Sequence, residues 1–145
     1  MKIKRTLALA LAVIMAGCML FAACGEEKKY DITFKNELDE TIDNLYYSPA
    51  AVGDWNDPVT TGDTRIRAGS SFGVDFEKLD GKDGELFDIG AITPSGMCYD
   101  LYDFALRTGD TIVLKGNKDG ATFTITHADG TDETHEAHIY VDGEV

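Results

Sequence analysis

Residues 111–126 read TIVLKGNKDGATFTIT. Thr111 to Lys115 is a short apolar, β-branched run, and Gly116 to Gly120 is a cluster of turn residues. Thr122 to Thr126 then alternates, with Phe123 and Ile125 on one side. A period of two is the signature of a half-buried strand, and Gly, Asn and Asp between two such runs mark a reversal of the chain. Strands with one apolar face must bury it against a second layer.

The same pattern extends in both directions. Upstream, Tyr30, Ile32 and Phe34 share a face opposite Asp31, Thr33 and Lys35, and Asn36 to Glu40 turns the chain. Ile42 to Ser48 forms a second strand closed by Pro49. Its period breaks between Ile42 and Leu45, which predicts a β-bulge there. Ala50 to Asp63 is a long polar loop, and Thr64 to Arg67 a short strand. Phe72, Val74 and Phe76 alternate in the next strand, Phe87, Ile89 and Ala91 in another. After Pro94-Ser95-Gly96, Met97 to Phe104 returns. Downstream, Asp129-Gly130 turns and Glu136 to Val141 ends the sheet. About eight or nine short strands at spacings of ~8–12 residues, with no sustained helical period, predict an immunoglobulin-like antiparallel β-sandwich.

The N-terminus has a different character. Lys2, Lys4 and Arg5 precede an uncharged run from Thr6 to Ala23, and no acid occurs before Glu26. A basic region, an apolar region and a small-residue end describe an export signal. Phe21-Ala22-Ala23-Cys24-Gly25 resembles a bacterial lipobox, in which a cysteine takes a diacylglyceryl group and becomes the new N-terminus. Leu is usual three places before that cysteine, and Phe21 departs from it. The resemblance implies a lipoprotein signal peptide over 1–23, cleavage between Ala23 and Cys24, and lipidation of Cys24. Residues 24–29 then form a lipidated tether, and residues 30–145 one domain. The expected location is extracytoplasmic, anchored to the membrane, at the cell surface or facing a periplasm. Cys18, after Ala16-Gly17, is the competing site, and an uncleaved membrane span gives the same topology.

Charge narrows the choice of partners. The formal net charge is −13, and losing Lys2, Lys4 and Arg5 with the signal, with no acid lost, takes it to −16. Such a domain is not built to neutralise phosphates, so no nucleic acid is expected. Anionic lipid headgroups are disfavoured on the same ground. Solubility is the plain use of so much negative charge. Of the three cysteines, Cys18 lies in the signal and Cys24 is committed to lipid. Cys98 is left unpaired, and a small buried core residue is the expectation for it.

Ile42, Leu45, Tyr46, Ser48 and Pro49, then Trp55, then Ala68-Gly69-Ser70, then Phe87-Asp88-Ile89 run in an order that is itself informative. It resembles a group of small bacterial extracytoplasmic domains, often lipoproteins, over about Tyr30 to Lys115. Their pattern is I-x-x-L-Y-x-S-P, a Trp-containing acidic loop, a small-G-x-S turn and an aromatic-D-I strand. The resemblance implies a compact β-sandwich and carries no chemistry.

Four groups of residues are candidate sites. Asp54, Trp55, Asn56, Asp57 and Asp63 crowd one loop. Oxygen-rich loops hold hard cations with six to eight ligands, so Ca²⁺ is the candidate ion, with Asp80 and Asp83 as further candidate ligands. No EF-hand spacing is present, because Lys82 stands where an oxygen ligand is needed. The plainer reading has Trp55 folding back to cap the core while the acids face water. His127, His135 and His138 suit Zn²⁺ by type, but positions three apart on a strand face opposite sides. His127 and His135 can meet across a hairpin without an evident third ligand, so solvent-facing histidines and no metal are expected. Asp100 and Asp103 are a carboxylate pair of the kind glycosidases use, yet nothing suggests the deep cleft a hydrolase needs. Tyr46, Tyr47, Trp55, Tyr99 and Tyr102 are a candidate aromatic patch. Alternation places Tyr47 opposite Tyr46, and Tyr99 opposite Tyr102. The sequence therefore points to a non-catalytic interaction module with no cofactor, contacting an envelope protein or glycan through the Trp55 loop. A Ca²⁺-binding surface domain is the alternative.

Overall fold

The computed structural model describes residues 31–55, 57–75 and 85–143. The proposed signal, Cys24 and the tether lie outside them, as do Asn56, Phe76, Asp80 and Asp83. Nine strands form among the described residues: β1 Ile32–Leu38, β2 Asn44–Pro49, β3 Ser71–Val74, β4 Leu86–Ile92, β5 Met97–Ala105, β6 Thr111–Asn117, β7 Gly120–Thr126, β8 Asp132–Glu136 and β9 His138–Val141. One sheet has the order β3-β1-β6-β7-β8 and the other β2-β4-β5-β9. Their inner faces close on a single core, as a β-sandwich requires. Ile32, Phe34, Ile112, Leu114, Phe123 and Ile125 come from the first sheet, and Leu45, Tyr47, Phe87, Ile89, Tyr99 and Leu101 from the second.

The hairpin of residues 111–126 forms as its pattern demands. Ile112 pairs with Ile125 and Leu114 with Phe123, all fully buried. The β1–β6 pair is parallel, with Phe34 opposite Ile112. It departs from the all-antiparallel expectation because β1 is the first strand and enters between the β5–β6 connection and β3, away from any hairpin partner. Gly109 N–H donates to the Asp31 carbonyl and Thr33 N–H to that of Asp110, locking the entry.

Four further expectations need correction. Asn36 belongs to β1 rather than to a turn. Its side chain is fully buried, donates to the Glu40 and Ile66 carbonyls at 2.8 Å each, and accepts from Leu38 N–H at 3.0 Å. A side chain so well satisfied can sit inside a strand. Thr64 to Arg67 is no strand but a single bridge, Ile66 to Ile42. That bridge also removes the expected bulge in the second strand: Ile42 lies outside β2, and Asp43 N–H already reaches the Ile92 carbonyl of β4. The bulge is in β5, where Tyr102 and Asp103 together oppose Asp88. Asp103 takes a left-handed φ of 55°, a conformation Asp tolerates better than most residues, and its N–H donates to Asp88 Oδ1 at 2.9 Å. Finally, Glu136 to Val141 is not one strand. β8 pairs with β7 in the first sheet, Ala137 breaks the run, and β9 pairs with β5 in the second.

Candidate functional site

β5 is buried on both faces from Cys98 to Leu101. Tyr99 and Leu101 point into the core, while Cys98 and Asp100 point outward and are still only 1% and 2% exposed. An outward carboxylate so largely buried is costly unless something organises it.

The register of the second sheet shows what does. Tyr46 of β2 stands opposite Gly90 of β4, Gly90 opposite Asp100 of β5, and Asp100 opposite His138 of β9. One rung over, Asn44, Ile92, Cys98 and Tyr140 align in the same way. These two outer rungs form the floor. Trp55 covers them from the loop after β2. Its ring lies 6.1 Å from Tyr46 and 6.2 Å from Tyr102, centroid to centroid, and Tyr102 meets the His138 ring edge-on at 5.7 Å. Such tilted pairs are favourable ring geometries.

Two local features put the indole there. Ser48, buried on the outer face of β2, donates its hydroxyl to the Asp54 carbonyl at 2.8 Å and so fixes the residue before Trp55. Gly90 supplies the space. A Cβ at that position would stand 2.9 Å from Asp100 Oδ1, closer than real Cβ contacts come, and 3.2 Å from the indole, a tight contact. The Ser48 and Trp55 positions of the sequence pattern therefore have a physical link.

Between the indole and the floor lies a cleft of about 220 Å³, walled by Tyr46, Trp55, Gly90, Asp100, Tyr140 and Asp142. Asp100 Oδ2 accepts hydrogen bonds from Tyr102 and Tyr140, 2.7 Å each. Oδ1 accepts none among the described residues. Burial raises the Asp100 carboxyl above its usual range, against the two tyrosine hydrogen bonds and His138, which lower it. Burial together with the Asp100 hydrogen bond holds both tyrosines protonated as donors. Burial, then the Asp100 charge, raises the Cys98 thiol as well. Cys98 is thus buried as expected, but beside this cleft and not in the core.

The other candidates separate. Trp55 does not cap the core. It sits on the opposite face of the second sheet and remains 39% exposed. Asp54, Asp57 and Asp63 are all exposed. Among the described residues no three His, Cys, Asp or Glu come together as a metal site. Tyr47 and Tyr99 enter the core and Tyr46 and Tyr102 stay outside, as alternation required. Asp100 and Asp103 do not share the cleft, because the bulge turns Asp103 to the sheet margin beside Pro49 and Leu86.

His127 is not solvent-facing. It is 4% exposed, and its Nδ1 lies 3.0 Å from Asp110 Oδ2. Sequence reasoning missed Gly90 and Tyr140 as cleft residues and His138 as the neighbour of Asp100 on β9. The switch at Ala137 that delivers the last two has no turn signal. Gly90 carried one readable signal: an isolated glycine within a strand marks a close approach.

Fold and cleft together define an all-β sandwich with an aromatic-covered cleft, holding a buried carboxylate, on the outer face of its four-stranded sheet. Comparison with protein-family models, curated proteins and solved structures returns no match.

Proposed function

We propose that this chain is a lipid-anchored, non-catalytic binding module of the bacterial cell envelope, contacting its partner through the outer face of the four-stranded sheet at Trp55. The carrying observation is the cleft itself. A half-exposed indole covers a buried carboxylate that two tyrosine hydroxyls orient on one oxygen only. Perturbed titratable groups in a cleft mark functional positions more often than chance. Rigid aromatic rings beside a few oriented polar groups are the usual make-up of a recognition site. Cys98 favours binding over covalent chemistry, since its raised thiol is a poor nucleophile. The anchor follows from the signal-like N-terminus and Cys24, and residues 24–29 leave the domain only ~20 Å of reach from the bilayer.

The test is retention of the purified full chain on isolated envelope material, with Trp55→Ala alongside. A half-exposed ring outside the core contributes little to folding, so the variant should keep its thermal unfolding midpoint within a few degrees. Retention should fall at least tenfold. Undiminished retention would place the contact surface elsewhere.

A further inference from the structure

Four features of the cleft bear on the chemistry of its ligand. Its charged group is a carboxylate, Asp100, buried to 2% exposure. Both tyrosine hydroxyls donate to the same oxygen, Oδ2, which leaves Oδ1 towards Gly90 and the indole with acceptor capacity. A second carboxylate, Asp142, stands in the wall, and no Lys or Arg lines the cleft. The remaining walls include the rings of Tyr46 and Trp55, whose faces carry negative electrostatic potential.

A neutral ligand does nothing for the buried charge, because its hydrogen bond replaces one that water would make. A cation offsets the desolvation of Asp100 and is attracted by both rings. The volume, about 220 Å³, is below the ~300–1,000 Å³ typical of pockets for drug-sized ligands. It suits one head group on a thin stem.

We infer that the cleft binds an aliphatic primary ammonium group, its N–H donated to Asp100 Oδ1 and its stem lying along the rings of Tyr46 and Trp55. This rests on the proposed role of the same cleft in binding and names the ligand class. The ammonium can belong to a lysine-like side chain or to an amino sugar, since the recognition chemistry is shared.

Trp55 is the one tryptophan of the sequence, so indole emission reports on the cleft alone. The full chain in a non-ionic detergent, at constant ionic strength, is titrated with n-butylammonium, n-butanol, glucosamine and N-acetylglucosamine. The expected result is a saturable emission change with n-butylammonium and a response at least tenfold weaker to n-butanol. Glucosamine acting while its N-acetyl form does not would extend the site to amino sugars. Glucosamine remaining silent beside a responding n-butylammonium would restrict it to side-chain amines. Asp100→Asn, close to isosteric, should weaken n-butylammonium at least tenfold. Gly90→Ala, which puts a methyl into the cleft, should do the same without altering any charge.

Equal responses to n-butanol and n-butylammonium overturn the inference, since the cleft is then merely apolar. N-acetylglucosamine acting as well as glucosamine also overturns it, while leaving a glycan-binding module standing. Silence of all four probes overturns it too. Retention on envelope material, measured separately, then decides whether the binding role survives.

Discussion

Gly116 carries a backbone angle that side chains rarely adopt, with φ of +129°. It pairs with Ala121 at the end of the β6–β7 hairpin, and the two strands close tightly there. A Cβ on residue 116 would lie 2.3 Å from the Gly120 carbonyl oxygen and 2.7 Å from the Ala121 Cα. These are backbone atoms, so no rotamer change relieves the contact. Gly116→Ala should therefore destabilise by about 2–3 kcal/mol, combining backbone strain with displacement of the turn. Chemical denaturation at fixed temperature measures it. Gly120→Ala is the internal comparison, because a Cβ there meets nothing within 4 Å. An equal loss at both positions would mean that general turn entropy, and not this contact, sets the cost. Gly90 differs on the opposite sheet: a methyl there would fall between a carboxylate and an indole, side-chain atoms that can give way.

Between elements, polar side chains do what the strands alone cannot. Asp110 precedes β6 and His127 follows β7, and both side chains are almost wholly buried. Asp110 Oδ2 accepts from Arg107 N–H at 2.8 Å and lies 3.0 Å from His127 Nδ1, tying two connections together at one end of the five-stranded sheet. Glu133 of β8 stands 3.5 Å from the other ring nitrogen. The hydrogen bond to Asp110, more than the opposing desolvation, raises the imidazole above its usual value of 6.5. A histidine raised in the native state binds its proton more tightly folded than unfolded. Its stabilisation is fully present below pH 6.5 and is lost as pH rises through the folded-state value. The thermal midpoint should thus decline on going from pH 6 into the alkaline range, and His127→Gln should flatten that decline. An unchanged slope in the variant would remove His127 as its source.

How much of this was readable from the chain depends on the kind of interaction. Period-two runs such as Thr122–Thr126 identify themselves, because alternation is a local property. The inside–outside assignment of Tyr46 and Tyr47 is local in the same sense. The clasp of His127 on Asp110 spans 17 residues and leaves no local trace. The transfer at Ala137 is illegible for another reason. Acidic β8 and aromatic β9 are contiguous extended chain, and only the packing of β9 against β5 decides that they part. Without that transfer Tyr140 and His138 do not reach Asp100, so the cleft could not be assembled from the sequence, although its indole was singled out there.

At the scale of the whole molecule, the design concerns exposure and position. β8 is an outer strand, and its Asp132, Glu133 and Glu136 discourage further strand pairing, as charged edges do. The edge strands β3 and β9 have four residues each, and Pro49 terminates β2. An acidic sandwich of this kind repels both its copies and an anionic bilayer. Any retention at such a membrane would have to come from somewhere other than the surface of the fold. Under the proposed anchoring it comes from Cys24. Each buried methylene contributes ~0.8 kcal/mol, one acyl chain holds only marginally, and two hold stably. Expressed in a bacterium that processes lipoproteins, the full chain should enter the membrane fraction, incorporate labelled fatty acid and lose residues 1–23. Cys24→Ser should abolish both labelling and cleavage at that bond, whereas Cys18→Ser should leave both intact. If labelling instead follows Cys18, the tether lengthens by six residues, and the domain stands ~20 Å further from the bilayer. The same cleft would then sample ligands at greater depth in the surrounding envelope.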